Sequence, residues 1–507
     1  MKDYSSFFHM MNNNFVDEIQ LSDFMTKTKK MTIHQLDPYS HFYTKKESER
    51  RKQTWKGISY AGIGAMIKQT QKGVAIDYCK KGYGAELSGL LPGDVFIKVD
   101  SIECKNFNLQ QVIKLLKGEE GTTLKVLVQR GDVAIEAEIK RKNIISRSIS
   151  FADTISKDIG LIKVDQFLRG SASAFRENIQ QIIDNGATKI ILDFRGNIGG
   201  LVNEAVNSLS VFFKKGTIIY ELKSKNKKSD YSDSTKQNPI STSIPLVILI
   251  DSKTISSGEI FTGAIQDLDR GVLMGQKSYG KGLVQGTRYF KDGSSLYITA
   301  ARYHLPSGRC IQKTDYRKNY NKKTSNQQNV DNTIYKSQNG RVFNSGDGIS
   351  PDKYLSVLSP KPELIKSIER STLPFEFAIL TRRKYGNELF NNWNEIAKEW
   401  NLFVLSNSEK LTTSIEGKLN KLREEVDNDP AVFRKTKKIS KKLDQQKKKR
   451  IKKEAVEIAE ILYEKLILYD HFKEGLYKYK AKKDPWVDKA IELLNSKEEY
   501  IQILQGI

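Results

Sequence analysis

Ser256 and Lys281 stand out in this 507-residue chain as side chains whose settings could do chemistry together. The apolar run PLVILID at 245–251 reads as a buried strand, and SSGEIFTGAIQDL at 256–268 reads as a helix. Ser256 therefore sits just before a helix N-terminus. There a tight turn presents its hydroxyl, and free backbone N–H groups can stabilise an anion. Taken alone, such a serine reads as an N-cap residue. Lys281 changes the balance. It is isolated among glycines in the run YGKG at 279–282, which lets backbone approach closely around it. A serine hydroxyl needs a base at neutral pH, and a lysine becomes that base when burial lowers its pKa. The pair is a candidate nucleophile–base dyad, a variant of the triad that needs no histidine. Of five histidines only His304 lies in the same region, within the strand-like run ITAARYHL, and it reads as structural. Glu259 and Asp267, eight residues apart on the Ser256 helix, read as groups that cap and pair locally.

A second cluster, DFRGNIGG at 193–200, ends a strand and opens a helix. It lacks the Lys-Ser/Thr of a phosphate loop and the spacing of a dinucleotide fingerprint, so nucleotide binding is weakly supported. Exposed N–H groups at such a turn suit an oxyanion hole, which holds the charge that develops on an attacked carbonyl.

The elements that must position these groups fall into four stretches. Residues 1–56 read as a helical segment, with two short helices and a turn at LDPYS, 36–40. Residues 57–143 are a β-rich module of short strands punctuated by glycine, with one helical run at NLQQVIKLLKG. Residues 144–355 alternate strands with helices, which argues for an α/β layer around a largely parallel sheet. Within them 222–243 is polar and reads as an exposed excursion. Residues 356–507 are helical and Lys-rich, including an amphipathic helix at 454–472 that reads as a packing or oligomer element. The fold class is thus multidomain α/β.

Composition narrows the function classes. With 38% hydrophobic and 9% aromatic residues the chain can build packed cores, which excludes full disorder. Lys+Arg 84 against Asp+Glu 60 gives a net charge of +24. Twelve basic residues against the single Asp444 in 434–453 supply +11 of it, far from Ser256. That run reads first as a solvated helix face; it lacks the interleaved aromatics of a single-strand nucleic-acid surface, and peripheral contact with an anionic membrane is the other reading. Cys79, Cys104 and Cys310 have no metal-ligand spacing and read as free buried thiols, so no metal or cofactor is expected. No apolar run reaches 18 residues, and the first residues lack the apolar core of a signal peptide. Either the chain is cytosolic, or a leader lies outside this sequence.

The order LDPYS, DFRGNIGG, SSGE, QDLDR, SYGKGLVQ, YHLPSGRCIQ and GISPD closely resembles the carboxyl-terminal processing proteases, also called tail-specific proteases, over roughly residues 1–355. The resemblance implies a crotonase-like α/β core. It selects Ser256 over Ser257 as nucleophile, because Lys281 follows it by 25 residues, and makes Gln285 the group that orients the lysine. It implies oxyanion donors from the amide of Ser257 and of a glycine in the pair Gly199–Gly200, and places Asp267 at the family's acidic position as a supporting acid. This chain departs from the family pattern with Gly258 and Ile198, neither of which removes a reacting side chain. Within the β-rich module LLPGDVF at 90–96 resembles the PDZ signature, and Tyr60, Ala61, Gly62, Ile63 and Gly64 then look like its carboxylate-binding loop. The implied activity is a serine endopeptidase acting near the C-termini of protein substrates, and the implied location is the bacterial periplasm or cell envelope. A homo-oligomer through the C-terminal helices is a further expectation. The competing reading is a non-catalytic peptide-binding scaffold; DNA binding ranks behind both.

Overall fold

The apolar run that precedes Ser256 forms the strand Leu246–Ile250, buried at every position. It lies between two parallel neighbours, Lys189–Asp193 and Val272–Gly275, and a strand covered on both faces needs no polar alternation. A computed structural model describes residues 2–55, 58–314, 316, 333–356, 360–425 and 429–507. They divide into two units.

The first unit gathers Met1–Ile58, Ile145–Val357 and Ala481–Ile507. Its main sheet runs Ile149–Ser156, Ile159–Val164, Lys189–Asp193, Leu246–Ile250, Val272–Gly275 and Lys353–Tyr354; the first pair is antiparallel and the rest are parallel. The helices Ser171–Asp184, Val202–Leu209 and Ser257–Asp267 bury their apolar side chains in one core, where the Phe194 and Phe261 rings stack at 4.7 Å. An antiparallel sheet joins His41–Tyr43, Leu283–Tyr289 and Ile218–Ser224 to the long strand Ser295–His304. Two expectations need correction. The N-terminal segment holds three helices, Lys2–Asn14, Leu21–His34 and Lys45–Trp55, rather than two. The polar stretch 222–243 contributes the strand Tyr231–Ser234, because its backbone pairs with Ile218–Ser224.

The helical region 356–507 is shared between the units. Helices Pro485–Asn495 and Lys497–Gln505 belong to the first, where the Tyr500 hydroxyl accepts from Leu246 N–H at 2.9 Å and Trp486 Nε1 donates to Ser356 O at 3.1 Å. The second unit gathers Ser59–Ile144 and Leu358–Lys480. Its sheet is ordered Ala65–Thr70, Gly73–Cys79, Val95–Val99, Thr123–Arg130, Val133–Lys140, with Ile102–Glu103 beside Val95–Val99. Ala65–Thr70 is therefore an edge strand. The helix Leu109–Leu116, opened by a capping box between Asn108 and Gln111, covers part of this module. The helical part packs around Trp400, whose indole donates to Ile458 O at 2.7 Å. The basic run forms the helix Pro430–Lys453; Lys447 turns inward to Glu416 at 2.8 Å while Lys435, Lys438, Lys442 and Lys449 stay exposed. The helix expected at 454–472 continues as Ala455–Ala481, with a break in helical geometry at Phe472. Cys79, Cys104 and Cys310 are free thiols, two of them buried. No helix among the described residues is long and apolar enough to cross a membrane.

Candidate active site

Ser256 follows the carboxyl end of the Leu246–Ile250 strand, and Gly199–Gly200 follow the carboxyl end of its neighbour Lys189–Asp193. In open parallel sheets, ligands bind at this edge. The two loops are tied there: Gly196 N–H donates to Asp251 Oδ1 at 2.8 Å, and Ile255 N–H donates to Asn197 O at 2.9 Å. Ser256 occupies the N-cap position of Ser257–Asp267 with φ 60° and ψ −120°, whereas an ordinary N-cap residue is extended. A non-glycine residue in that region is strained by about 1–3 kcal/mol and persists only where its surroundings impose it.

Glu259 imposes it. The carboxylate is fully buried and accepts four hydrogen bonds, from Ser256 N–H at 2.8 Å, Gly280 N–H at 2.7 Å, Lys281 N–H at 2.9 Å and Ser278 Oγ at 2.5 Å. Burial pushes its pKa up, against the pull of these donors. One side chain thereby fastens the serine turn to the lysine loop. The Tyr303 hydroxyl adds a second fastening, donating to Lys281 O at 2.6 Å and lying 3.3 Å from Ser256 O. Glu259, three residues after Ser256, has the spacing of a capping box and caps this helix as expected; its bonds to Ser278, Gly280 and Lys281 lie beyond that local signal.

Lys281, expected as the base, donates from Nζ to Gln285 Oε1 at 3.0 Å, and Gln285 Nε2 donates to Thr299 Oγ1 at 3.1 Å. Burial lowers the lysine pKa to about 8, with Asp37 and Glu259 pulling it up and Arg51 pushing it down. The glycine before it is required: Gly280 has φ 88°, and a Cβ there would meet Lys313 Cβ at 2.7 Å. Ser256, Lys281, Gln285, Gly199 and Gly200 line one cleft of about 1150 Å³, whose apolar wall includes Leu168, Ile198, Leu201 and Val202.

The amides expected to hold an oxyanion divide unevenly. Gly199 N–H is engaged by Asn197 Oδ1 at 2.9 Å, so it is not free to receive a charge as expected. The amides of Gly200 and Ser257 donate to no acceptor among the described residues. Gly200 has no room for a side chain, since a Cβ would lie 2.0 Å from Phe167 O. Asn197 also donates from Nδ2 to Val164 O at 2.9 Å, which locks this turn to the sheet.

Asp267 is a correction. The helix Ser257–Asp267 carries it about 16 Å from Ser256 at 1.5 Å per residue, outside the cleft. There it meets Arg309 at 2.6 Å in a fully buried ion pair, and it accepts from Ser307 N–H at 3.0 Å. Its partners there are structural, and none of them lines the cleft. His304 is structural, its Nδ1 lying 2.9 Å from Gly308 O. No cluster of His, Cys, Asp or Glu among the described residues could hold a metal ion.

In the second unit Tyr60, Ala61 and Gly62, expected to bind a carboxylate, close the strand Ile58–Gly62, and Ile63 and Gly64 connect it to the edge strand Ala65–Thr70. Carbonyls of Ala61, Ile63 and Gly64 are taken by Gly118, Ala85 and Lys80 N–H groups. The amides of Ile63 and Gly64 donate to no acceptor among the described residues. Gly62 lies against the exposed Tyr60 ring, over which Lys117 Nζ stands at 4.3 Å.

Residues 158–321 match the description "Peptidase family S41", 76–130 match "PDZ domain", and 365–494 match "Probable PDZ-protease, C-terminal helical domain". The chain is 34% identical over 275 residues to a "Probable CtpA-like serine protease" of Staphylococcus haemolyticus, which covers 54% of this chain and 55% of that protein. A protein of the same description from Staphylococcus aureus is 32% identical over 277 residues, with the same coverage of 54% and 55%. The chain spans about half the length of the curated relatives it matches. Among solved structures, a photosystem II D1 C-terminal processing protease aligns at 22% identity over 69% of this chain and 86% of that one, with a TM-score of 0.38.

Proposed function

We propose that this chain, which belongs to the carboxyl-terminal processing proteases of peptidase family S41, is a serine endopeptidase that cuts near the C-termini of proteins. One observation carries the reading: a buried carboxylate, Glu259, binds the Ser256 turn and the Lys281 loop into one wall of a cleft, and burial holds Lys281 at a pKa of about 8. Neutral Lys281 accepts the Ser256 proton as Oγ attacks the peptide carbonyl carbon. The Gly200 and Ser257 amides hold the oxyanion. Lys281 then returns the proton to the departing amine, leaving an acyl-enzyme ester on Ser256. Water, deprotonated by the same lysine, opens the ester and frees the carboxylic acid.

The PDZ module supplies the preference for tails. Ala65–Thr70 offers a strand edge that pairs with no other strand among the described residues, and the Ile63 and Gly64 amides, without acceptors among them, offer donors for a terminal carboxylate. The test is cleavage of a folded protein carrying an unstructured apolar tail, with products sized by mass spectrometry. Ser256→Ala and Lys281→Arg, which keeps the charge but cannot be deprotonated, should each lower the rate by about 10²–10⁴-fold or more. Full activity in either variant would overturn the dyad, and a wild-type protein silent on every tail would favour a peptide-binding scaffold.

A further inference from the structure

The turn Asp37–Ser40 lies next to the lysine without contributing to the dyad or its donors. Asp37 is buried, and its Oδ1 accepts from Tyr39 N–H and Ser40 N–H, each at 2.8 Å, while Oδ2 accepts from Ser40 Oγ at 3.0 Å. These three bonds fix the turn, and it reaches Lys281 by two routes. The Tyr39 ring sits against the ammonium, with Lys281 Nζ 4.4 Å from its centroid. Ser40 Oγ accepts from Thr299 N–H at 3.1 Å, Thr299 Oγ1 accepts from Gln285 Nε2 at 3.1 Å, and Gln285 Oε1 accepts from Lys281 Nζ at 3.0 Å. The Tyr39 hydroxyl reaches outward, 3.3 Å from the Tyr279 hydroxyl and 3.5 Å from that of Tyr316.

We propose that Tyr39 is a positioning residue of the reaction described above: its ring roofs the Lys281 ammonium, keeps bulk water from it, and with the Ser40–Thr299–Gln285 chain holds Nζ in one place. The inference rests on the Ser256–Lys281 reading. A base must be neutral before it accepts a proton and charged afterwards. Water stabilises the ammonium strongly, so excluding it favours the neutral amine. A ring face still attracts a cation, which an aliphatic cover would not, so it supports the charge that appears when the Ser256 proton arrives. Other groups acting on Lys281 are Asp37 and Glu259, which favour the ammonium, and Arg51, which opposes it; none of them supplies an apolar cover.

The test measures kcat/KM against pH for wild type, Tyr39→Phe and Tyr39→Ala on the tailed substrate. Wild type should show an acidic limb near 8, and Tyr39→Phe should keep it because the ring remains. Tyr39→Ala admits water, so its limb should move up by about one unit; the resulting loss is about tenfold at pH 7 and closes at high pH. Tyr39→Gln, which fills space while admitting water, serves if the alanine variant does not fold. Competitive acetylation of Lys281 with acetic anhydride across pH, read by mass spectrometry in a Ser256→Ala background, titrates the lysine without turnover and should show the same shift. An unmoved limb and titration in Tyr39→Ala, or a shift in Tyr39→Phe as large as in Tyr39→Ala, would overturn the roof. Undiminished cleavage by Ser256→Ala would instead overturn the dyad, and the labelling would still report on Tyr39.

Discussion

Beside the first turn of the helix Ser257–Asp267 a buried lysine lines a cleft with no ion-pair partner among the described residues, and at the last turn buried charges meet opposite charges. Around the first turn, Ser256 holds a strained backbone conformation, the Gly200 and Ser257 amides donate to no acceptor among the described residues, and burial disfavours the charge of Lys281. At the last turn Asp267 pairs with Arg309, Arg309 donates to Gln266 Oε1 at 2.8 Å, and Arg341 pairs with Asp269 at 2.6 Å and Asp352 at 3.2 Å. Both ends are rich in charge, and both draw on the motifs that carry the family resemblance. The difference teaches how to tell them apart: a buried charge in contact with its counter-charge fixes an arrangement, whereas a buried cation beside a cleft, in contact with an amide and a ring, is poised to lose a proton.

Three substitutions would break or sharpen that contrast. Asp267→Ala strands the Arg309 guanidinium in the interior, and urea unfolding should show a loss of about 3–5 kcal/mol, with kcat of the folded fraction unchanged. Loss of kcat at intact stability would return Asp267 to the active site. Glu259→Gln sets an amide NH₂ against two donors, so stability should fall by about 2 kcal/mol and, unlike at Asp267, kcat should fall with it. Lys281→Met should act in the opposite sense on stability. A lysine whose folded pKa is depressed to about 8 from 10.5 opposes folding fully below pH 8 and not at all above 10.5. The methionine variant should therefore be inactive yet more stable than wild type at pH 7 by about 1–3 kcal/mol, a gain that fades as pH rises toward 10.5. Equal or lower stability at pH 7 would mean that the cation is better solvated than its burial implies.

Much of this site was legible in the residues. Ser256 at a helix start and Lys281 among glycines are local features, and the alternation of strands with helices points to a largely parallel sheet beneath them. The position of Asp267 was also within reach of simple arithmetic, since a helix of 11 residues puts its ends on opposite sides of a core. The family's acidic position outweighed that distance and gave the wrong role. The oxyanion turn was legible only to the pair Gly199–Gly200. Which amide stays free depends on where the Asn197 side chain goes, and that follows from its second bond to Val164 O. The basic run reads as a helix face and forms the helix Pro430–Lys453, but the inward turn of Lys447 to Glu416 depends on a partner 31 residues away.

By itself, then, the sequence determined the candidate nucleophile and base and the elements that present them, because a residue's chemistry and its helix or strand preference depend on neighbours a few positions away. Only the tertiary structure decided that Glu259 joins the serine turn to a loop 22 residues on, and that a tyrosine 240 residues before Tyr279 comes to lie over Lys281. These are contacts between distant segments. They form because the core packs those segments together, and they set the pKa and the position of a lysine whose identity alone specifies neither.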